Sequence, residues 1–559
     1  MQRPTLAVAL ALTVASAVFV AGARADPRPS PHRGFSAEPI ATPALMAAVT
    51  GALREILKPD TSQQTVKVSI AQAYADAEYQ PIWFNTRTGL ARLNGLRKAL
   101  REATSEGLDP RRYALDAAAT SFTGSDPRQW AELDLRASQE YLRYVQDLQG
   151  THPDSTAVRP VGAILPQPVD NTLMLGRAVR ATDISAHLED IAPRTAIYLS
   201  MKKALVRYRA LRDAGGWPMV PRGKALEPGD VSPRVPLLRQ RLFATGDLVD
   251  SSLESEIYSE DLRTAVQRFQ SRHGLSDDGV IGKRTMRALS MPVEQRVQQI
   301  VANMERARWL PADMGGRHVL VNVPGFDLEI VENQAPVASM AIIVGRRMRR
   351  SPIVSGELTR LEINPNWNVP ESIARKDLLP KLREDPYHLF DAGLRLFDKD
   401  SREELTRDEI DWEEVAANGT LPFRMRQDPG PQNALGRVKF MFQNDFAVYL
   451  HDTPSRRLFA KPERAFSSGC IRVERPLELA EYLLLDKPGW ERYTIDEVVE
   501  SGDRTSVQLP APVPVHLIYR TAWMGANGQV QFRHDLYGRD EFIANKLLAK
   551  RASAAANDV

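Results

Sequence analysis

The sequence is short of several things, and each shortage excludes a class of function. Among 559 residues there is one cysteine, Cys470, so no intramolecular disulfide can form. Charge of one sign is missing too: 73 basic residues against 70 acidic leave +3, which gives no electrostatic footprint for nucleic acid. The nine histidines are scattered, so neither a metal nor any other cofactor is predicted. Apolar runs end early. Leu6 to Val20 are almost wholly apolar, but the run is shorter than the roughly 20 residues of a spanning helix, and nothing later is longer. With Arg3 before it and Ala23-Arg24-Ala25 after it, the run reads as a cleaved secretory signal over residues 1–25, the alternative being an uncleaved anchor. No cysteine follows it to accept a lipid. An unpaired thiol in an exported chain is either an inert buried residue or a reactive one, and Cys470 alone does not decide which.

What is present suggests three or more domains, because 559 residues exceed one ordinary core and 39 prolines supply linkers. Residues 26–64, rich in proline, arginine and serine at their start, read as a flexible tether. Residues 65–229 read as a helical scaffold: Leu93, Leu96 and Leu100 share one helical face, as do Leu135, Leu142, Val145 and Leu148. Trp83 is expected in that core. Residues 230–292 read as a small module with two short helices about the loop Gly274 to Gly282, where Phe269 and Leu275 are expected to pin the loop. From 297 to 509 the period changes to that of strands. His318–Val323, Asp327–Val331 and Val337–Val344 are short and valine-rich, and a hairpin is predicted from Val438 to His451 around Asn444-Asp445. Residues 364–431 interrupt this β domain. Trp367, Phe390 and Trp412 argue that the interruption is an ordered cap over a site. Residues 510–559 remain as a C-terminal extension with no chemistry assigned. The fold class expected is α+β and multidomain.

The chemistry gathers at the second β block. His451 closes a predicted strand, and nineteen residues later Cys470 follows Ser467-Ser468-Gly469. A thiol of ordinary pKa near 8.5 is only a few per cent thiolate at neutral pH, so an imidazole within reach can take its proton and return it to a leaving amine. Gly469 allows close backbone approach, and the amides of Gly469 and Cys470 are expected to hold an oxyanion. A strand end and a glycine turn place both residues at the rim of a rigid sheet.

These residues carry a resemblance. Asn303-Met304-Glu305-Arg306 with Trp309-Leu310-Pro311, Asn364-Pro365-Asn366-Trp367-Asn368-Val369-Pro370, Gly430 to Gly436 with Lys439-Phe440, Tyr449-Leu450-His451-Asp452-Thr453-Pro454 and Arg464 to Glu474 resemble the L,D-transpeptidases with a YkuD-type catalytic domain, in particular the long YcbB-type members of Gram-negative bacteria. The loop module, through Ala265 to Gln270, Gly274-Leu275 and Asp278 to Gly282, is similar to small helical peptidoglycan-binding modules. The module either binds glycan or serves as a spacer.

The resemblance implies a periplasmic acyltransferase, inhibited by carbapenems, that cross-links peptidoglycan stem peptides through a Cys470 thioester. His451 is then the base, Ser468 and Gly469 shape the oxyanion pocket, and Tyr449 lines it. Arg472 either braces the turn or meets a substrate carboxylate. Trp367 and Asn364 belong to the substrate face under the cap, with packing an equal alternative for Trp367. Ser468 stands where shorter relatives keep a histidine, which leaves His451 as the only imidazole in the motif. Other cell-wall synthesis enzymes are further candidate partners. The arginines at 346, 347, 349 and 350 can attract stem carboxylates, although a solvated loop is the favoured reading.

Three competing readings remain at this stage. A cysteine peptidase or amidase of wall peptides needs the same thiol and imidazole, but the common wall hydrolases place cysteine before histidine. A sortase-like enzyme has the observed order but lacks its threonine-bearing motif here. A wall-anchored scaffold with an inert Cys470 leaves the Ser-Ser-Gly-Cys turn unexplained.

Overall fold

A computed structural model describes residues 42–58, 65–84, 87–120, 126–151, 168–249, 252–311, 313–385, 390, 393–418 and 421–548. The secretory signal and the first part of the tether lie outside these. The tether reading fails over its middle: Pro43–Ile56 is a helix, capped by Thr42 and started by Pro43, with Val49 and Leu53 fully buried. Proline at the first helical position costs no hydrogen bond, so a proline-rich lead-in concealed a helix start.

The helices Thr65–Asp76, Arg87–Arg101, Pro127–Leu148, Asn171–Arg180, Ile184–Ile191 and Ala196–Asp213 form the scaffold. The leucines at 93, 96, 100, 135, 142 and 148 all lie in its core. Trp83 is fully buried, its indole N–H donating to Ser138 Oγ at 2.9 Å. Beneath it Asp134 accepts the backbone amides of Ile82 and Trp83 at 3.0 and 2.9 Å, and burial raises its carboxyl to about 6.

The small module has three helices, Val235–Thr245, Glu260–Arg272 and Lys283–Leu289. Phe269 is fully buried as expected, but Leu275 is half-exposed. The loop is held instead by Gln270, whose amide group donates to Asp278 Oδ1 at 2.8 Å and Val280 O at 3.0 Å and accepts from Gly279 N at 2.8 Å. A single buried amide thus satisfies several turn groups that would otherwise be stranded.

The helix Val293–Trp309 leads into the β domain and belongs to the scaffold core. The strands that follow are β1 (Arg317–Asn322), β2 (Asp327–Glu332), β3 (Ala335–Gly345) and β4 (Val354–Ile363). The insertion supplies β5 (Trp367–Asn368), β6 (Leu394–Asp398), β7 (Glu404–Leu405) and β8 (Phe423–Gln427), after which come β9 (Val438–Phe442), β10 (Leu450–His451), β11 (Ala465–Ser467), β12 (Ile471–Val473), β13 (Thr505–Ile518), β14 (Ala522–Met524) and β15 (Val530–Phe532). The large sheet runs β11-β3-β12-β10-β9-β4-β13-β1-β2, and β2 also pairs with β3, so the sheet closes on itself. Alternation then assigns sides. Leu361, Phe440, Leu450 and Ile471 lie in the core, so their strand neighbours Glu362, Lys439, His451 and Arg472 face the other way.

Two expectations need correction. The predicted hairpin keeps only Leu450 and His451 as its second limb. Between the limbs, Asn444 accepts from the amides of Phe446 and Val448, both at 3.1 Å, and donates to the carbonyls of Phe442 and Val448, which makes an asparagine-centred turn. The boundary drawn at 509/510 cuts through β13, which lies in mid-sheet between β4 and β1. Pro510 and Pro512 disguised this strand. They fall inside a register break between Gln508 and Val513, where no ladder bond is needed.

Candidate active site

Cross-strand register builds a row on the outward face. Glu362 of β4 pairs with Lys439 of β9, Lys439 with His451 of β10, His451 with Arg472 of β12, and Arg472 with Ile343 of β3. Tyr449 and Cys470 stand just before β10 and β12; the Tyr449 ring lies 5.6 Å from that of His451, and Tyr449 and Arg472 both act on the Cys470 thiol. The chain therefore brings Tyr449, His451, Cys470 and Arg472 together, and it adds Lys439 and Glu362.

The turn before Cys470 is fixed by Ser467. Its buried hydroxyl accepts the Gly469 amide at 3.1 Å and donates to the Cys470 carbonyl at 2.6 Å. Gly469 has φ +128, a conformation costly for any residue with a Cβ, although a Cβ would meet nothing nearer than Arg350 O at 3.7 Å. Conformation, then, and not space, requires glycine here. The Gly469 amide is engaged within the turn, which revises the expected pair of oxyanion donors. The amide of Cys470 has no protein acceptor among the described residues and remains available. Ser467 was overlooked in the sequence, where the signal was a serine two residues before a glycine.

His451 is buried, and its Nδ1 donates to the Asp452 carbonyl at 2.5 Å, which leaves Nε2 as the basic nitrogen. Burial, together with the positive charge of Arg472, lowers its pKa to about 3. Asp452 is held in turn by Arg437, whose backbone amide and Nε both donate to Oδ2 at 3.0 Å, and by Arg456 at 3.1 Å. Gly436 has φ +60 and approaches so closely that a Cβ would sit 2.5 Å from the Asp452 carboxyl carbon. Asp452 thus orients the imidazole through its backbone, a role the sequence reading had not given it.

The Cys470 thiol is half-buried, and burial pushes its pKa up. The groups that favour its thiolate are the backbone amide and phenol of Tyr449 and the charges of Lys439 and Arg472. Lys439 Nζ lies 4.3 Å from the centre of the Tyr449 ring, and burial lowers its own pKa. Burial also raises the Tyr449 phenol, with the thiolate's charge adding to the effect, so Tyr449 is a hydrogen-bond donor at any ordinary pH. Arg472 has a buried Nε without a partner, and no ion pair holds it among the described residues.

With the thiol raised and the imidazole lowered, the resting pair is neutral rather than a thiolate–imidazolium ion pair. Alkylation of Cys470 by iodoacetamide should therefore accelerate about tenfold per pH unit from pH 6 to 8 and show no plateau below pH 9. A flat profile across that range would reveal a preformed ion pair. In the Lys439→Met variant the thiolate loses a positive neighbour, so the thiol pKa rises further. The rate at pH 7.5 is expected to fall several-fold, and Lys439→Arg is expected to restore it.

Asn364 and Trp367 are not brought to this face. Asn364, at φ +49, donates from its side-chain amide to the carbonyls of Val498 and Val499 at 2.8 and 3.2 Å. Trp367 pairs with Gln427 and packs on the insertion's own small core. Together with Asn433, which donates to Pro365 O and Asp428 O at 2.9 Å, Asn364 fastens the base of the insertion. The arginine loop is exposed at Arg346, Arg347, Met348 and Arg350, as a solvated loop would be, yet two of its side chains are engaged. Arg346 and Arg349 both reach Ser468 Oγ, at 3.4 and 2.9 Å, and both meet Asp377 of the insertion.

Similarity to known proteins covers three stretches of the chain. Residues 68–205 match a scaffold domain, 231–289 the family described as "Putative peptidoglycan binding domain", and 316–508 the YkuD family, described as an L,D-transpeptidase catalytic domain. A curated relative from Haemophilus influenzae, described as "Putative L,D-transpeptidase", is 34% identical over 274 residues, 48% of this chain and 54% of the relative. The chain thus spans about half the length of that relative. Among solved structures, the crystal structure of an L,D-transpeptidase from Xylanimonas cellulosilytica is 15% identical, covering 53% of this chain and 99% of that one, with a TM-score of 0.17. That of an L,D-transpeptidase from Stackebrandtia nassauensis is 12% identical, covering 54% and 96%, with a TM-score of 0.21.

Proposed function

With a YkuD-family L,D-transpeptidase catalytic domain joined to scaffold and peptidoglycan-binding domains, the chain belongs with the multidomain L,D-transpeptidases, and from that premise we propose that it cross-links peptidoglycan through Cys470. The observation that carries this reading is the placement of the chain's one thiol. Cys470 closes a glycine turn on the face shared by Tyr449, His451, Lys439 and Arg472.

In the first half-reaction the sulfur attacks the carbonyl that precedes the terminal D-alanine of a tetrapeptide stem. Nε2 of His451 takes the thiol proton as the C–S bond forms, and the oxyanion is met by the Cys470 amide. Collapse of the intermediate breaks the C–N bond, and the proton on His451 passes to the departing amine, so D-alanine leaves and a thioester remains. In the second half-reaction the side-chain amine of another stem's third-position diamino acid attacks the thioester. His451 takes the amine's proton and returns it to the departing thiolate, which leaves a direct cross-link between third-position residues.

Because thiol and imidazole are both neutral at rest, the proton moves within each step, and Lys439, Arg472 and Tyr449 stabilise the charge that appears on sulfur. Export to the periplasm and a glycan-binding role for residues 231–289 accord with this activity.

Incubation of the purified protein with tetrapeptide-stem muropeptides tests the reading. Cross-linked dimers with release of D-alanine are expected by mass spectrometry. Monomeric tripeptides alone would make the enzyme a hydrolase.

A further inference from the structure

Of the four arginines between 346 and 350, Arg346 and Arg349 reach the catalytic turn from β3's far end, and their loop is built rather than free. Arg346 N donates to the Ser467 carbonyl at 3.1 Å, and Arg349 N donates to Arg346 O at 2.8 Å. Ser351, which ends the loop, donates from Oγ to the Gly469 carbonyl at 2.7 Å and accepts from Gly345 N at 2.9 Å. Tyr537, in the segment first read as an idle extension, donates to Gly345 O at 2.6 Å and accepts from Ser351 N at 3.1 Å. Gly345 leaves no room for a side chain, since a Cβ would sit 2.1 Å from Arg349 O. The loop and the Ser467–Cys470 turn therefore form one rigid unit.

Two of the loop's guanidinium groups converge on one carboxylate. Arg349 holds both oxygens of Asp377, one of them from Nη2 at 2.9 Å, and donates to Ser468 Oγ at 2.9 Å. Arg346 adds contacts at 3.3 and 3.4 Å to Asp377 and one at 3.4 Å to Ser468 Oγ. Burial alone would raise the Asp377 carboxyl, but Arg349 and Arg346 bring it below the usual range, so it is anionic. Asp377 lies in the insertion, Ser468 two residues from the thiol. A forked, doubly cationic receptor beside the catalytic turn is thus occupied by a carboxylate from a different part of the chain, and that carboxylate is still partly open to solvent.

We propose that Arg346, Arg349 and Ser468 form the site that receives the terminal carboxylate of the donor stem, and that Asp377 occupies this site until the stem displaces it. The inference rests on the transpeptidase reading for the identity of the donor. The terminal carboxylate is the one nearest the bond to be broken, separated from the scissile carbonyl by one nitrogen and one Cα. Ser468 stands at a matching short remove from Cys470. The site would select stems that end one residue beyond the scissile bond, because a longer stem places an amide where the carboxylate belongs. Displacement of Asp377 also releases its grip between the insertion and the turn, which couples occupation of the site to movement of the insertion. An internal ligand competes at high effective concentration, so it lowers the stem's apparent affinity without abolishing binding.

The full-length Cys470→Ala protein, which cannot turn over, permits a binding test by calorimetry with a tetrapeptide stem and with the same peptide as its C-terminal carboxamide. The acid is expected to bind about tenfold more tightly than the amide. Adding Asp377→Asn is expected to tighten the acid several-fold and leave the amide unchanged. Adding Arg349→Gln is expected to erase the difference between the two. Equal affinities for acid and amide, or a difference that survives Arg349→Gln, would overturn the proposal. A merely structural role for Arg349 would weaken both peptides alike, which also counts against it. Should the unaltered enzyme fail to form cross-links while the acid-over-amide preference holds, the assigned reaction fails and the carboxylate site stands.

Discussion

Replacing Cys470 by alanine is expected to abolish acyl transfer, with no D-alanine released, no cross-linked dimer and no covalent adduct with a carbapenem. The loss should be at least about a thousandfold, because no other thiol exists in the chain and the remaining groups on the face supply charge and hydrogen bonds but no nucleophile. Folding should be spared. The side chain is only half-buried, and Gly469 and Ser467 hold the turn through backbone groups that alanine leaves in place. Intact-mass measurement after incubation with a carbapenem, beside a thermal melt, reads both outcomes. An adduct on the alanine variant, or cross-linking that persists, would assign the chemistry to another residue.

The second large effect lies far from the thiol. Glu305 and Arg308, one helical turn apart in Val293–Trp309, form a fully buried ion pair at 2.8 Å. Glu305 also accepts the Trp309 indole N–H at 2.9 Å, while Arg308 reaches Tyr198 Oη at 2.9 Å and the Glu106 carbonyl. Burial alone would lower the Arg308 pKa, but Tyr198, Glu305 and Glu106 raise it instead, so the charge persists inside. Glu305→Ala would strand that charge and a tryptophan N–H at the joint between the scaffold and the β domain. Removing one partner of such a pair costs about 3–5 kcal/mol. A fall of roughly 10 °C in melting temperature is the expected result by calorimetry. A change under about 2 °C would show that the pair is dispensable. Below the new melting point Cys470 should still alkylate at its usual rate, since no group of the active face is touched.

The same helix explains why its motif recurs in the resemblance. Asn303 exchanges hydrogen bonds with Thr521, donating to Oγ1 at 2.7 Å and accepting the backbone N–H at 2.9 Å. Arg306 pairs with Asp540 at 2.6 Å. Asn303 and Arg306 thus fasten the connecting helix to Thr521 and Asp540, while Glu305 holds Arg308, which reaches the scaffold at Tyr198 and Glu106. A motif quoted for its likeness to enzymes proves to be a strut.

Much of this was legible in residue order because the information was local. One cysteine behind Ser-Ser-Gly and one histidine at a strand end name the proposed reacting pair without any coordinates. Three-four spacing of leucines predicted the buried face of the scaffold helices, and short valine-rich runs predicted β1, β2 and β3. Local order failed where the partner was distant. Lys439 was seen only as part of a motif, because its position opposite His451 and Glu362 exists only once β4, β9 and β10 are in register. Asn364 carried the appearance of a substrate residue until the helix Arg492–Ser501, far along the chain, supplied the carbonyls that hold it. Strand β13 was split in two by Pro510 and Pro512, whose lack of an amide proton is harmless at the register break the folded sheet provides.

The thiol, the imidazole and their separation are covalent facts, so the sequence by itself determined which residues are proposed to react. The tertiary structure alone decided what surrounds them: the neutral resting pair, the Lys439 and Arg472 charges beside sulfur, the single available amide, and an arginine fork closed on Asp377. Those properties depend on burial and on contacts between segments tens to hundreds of residues apart, and neither exists until the sheet has closed.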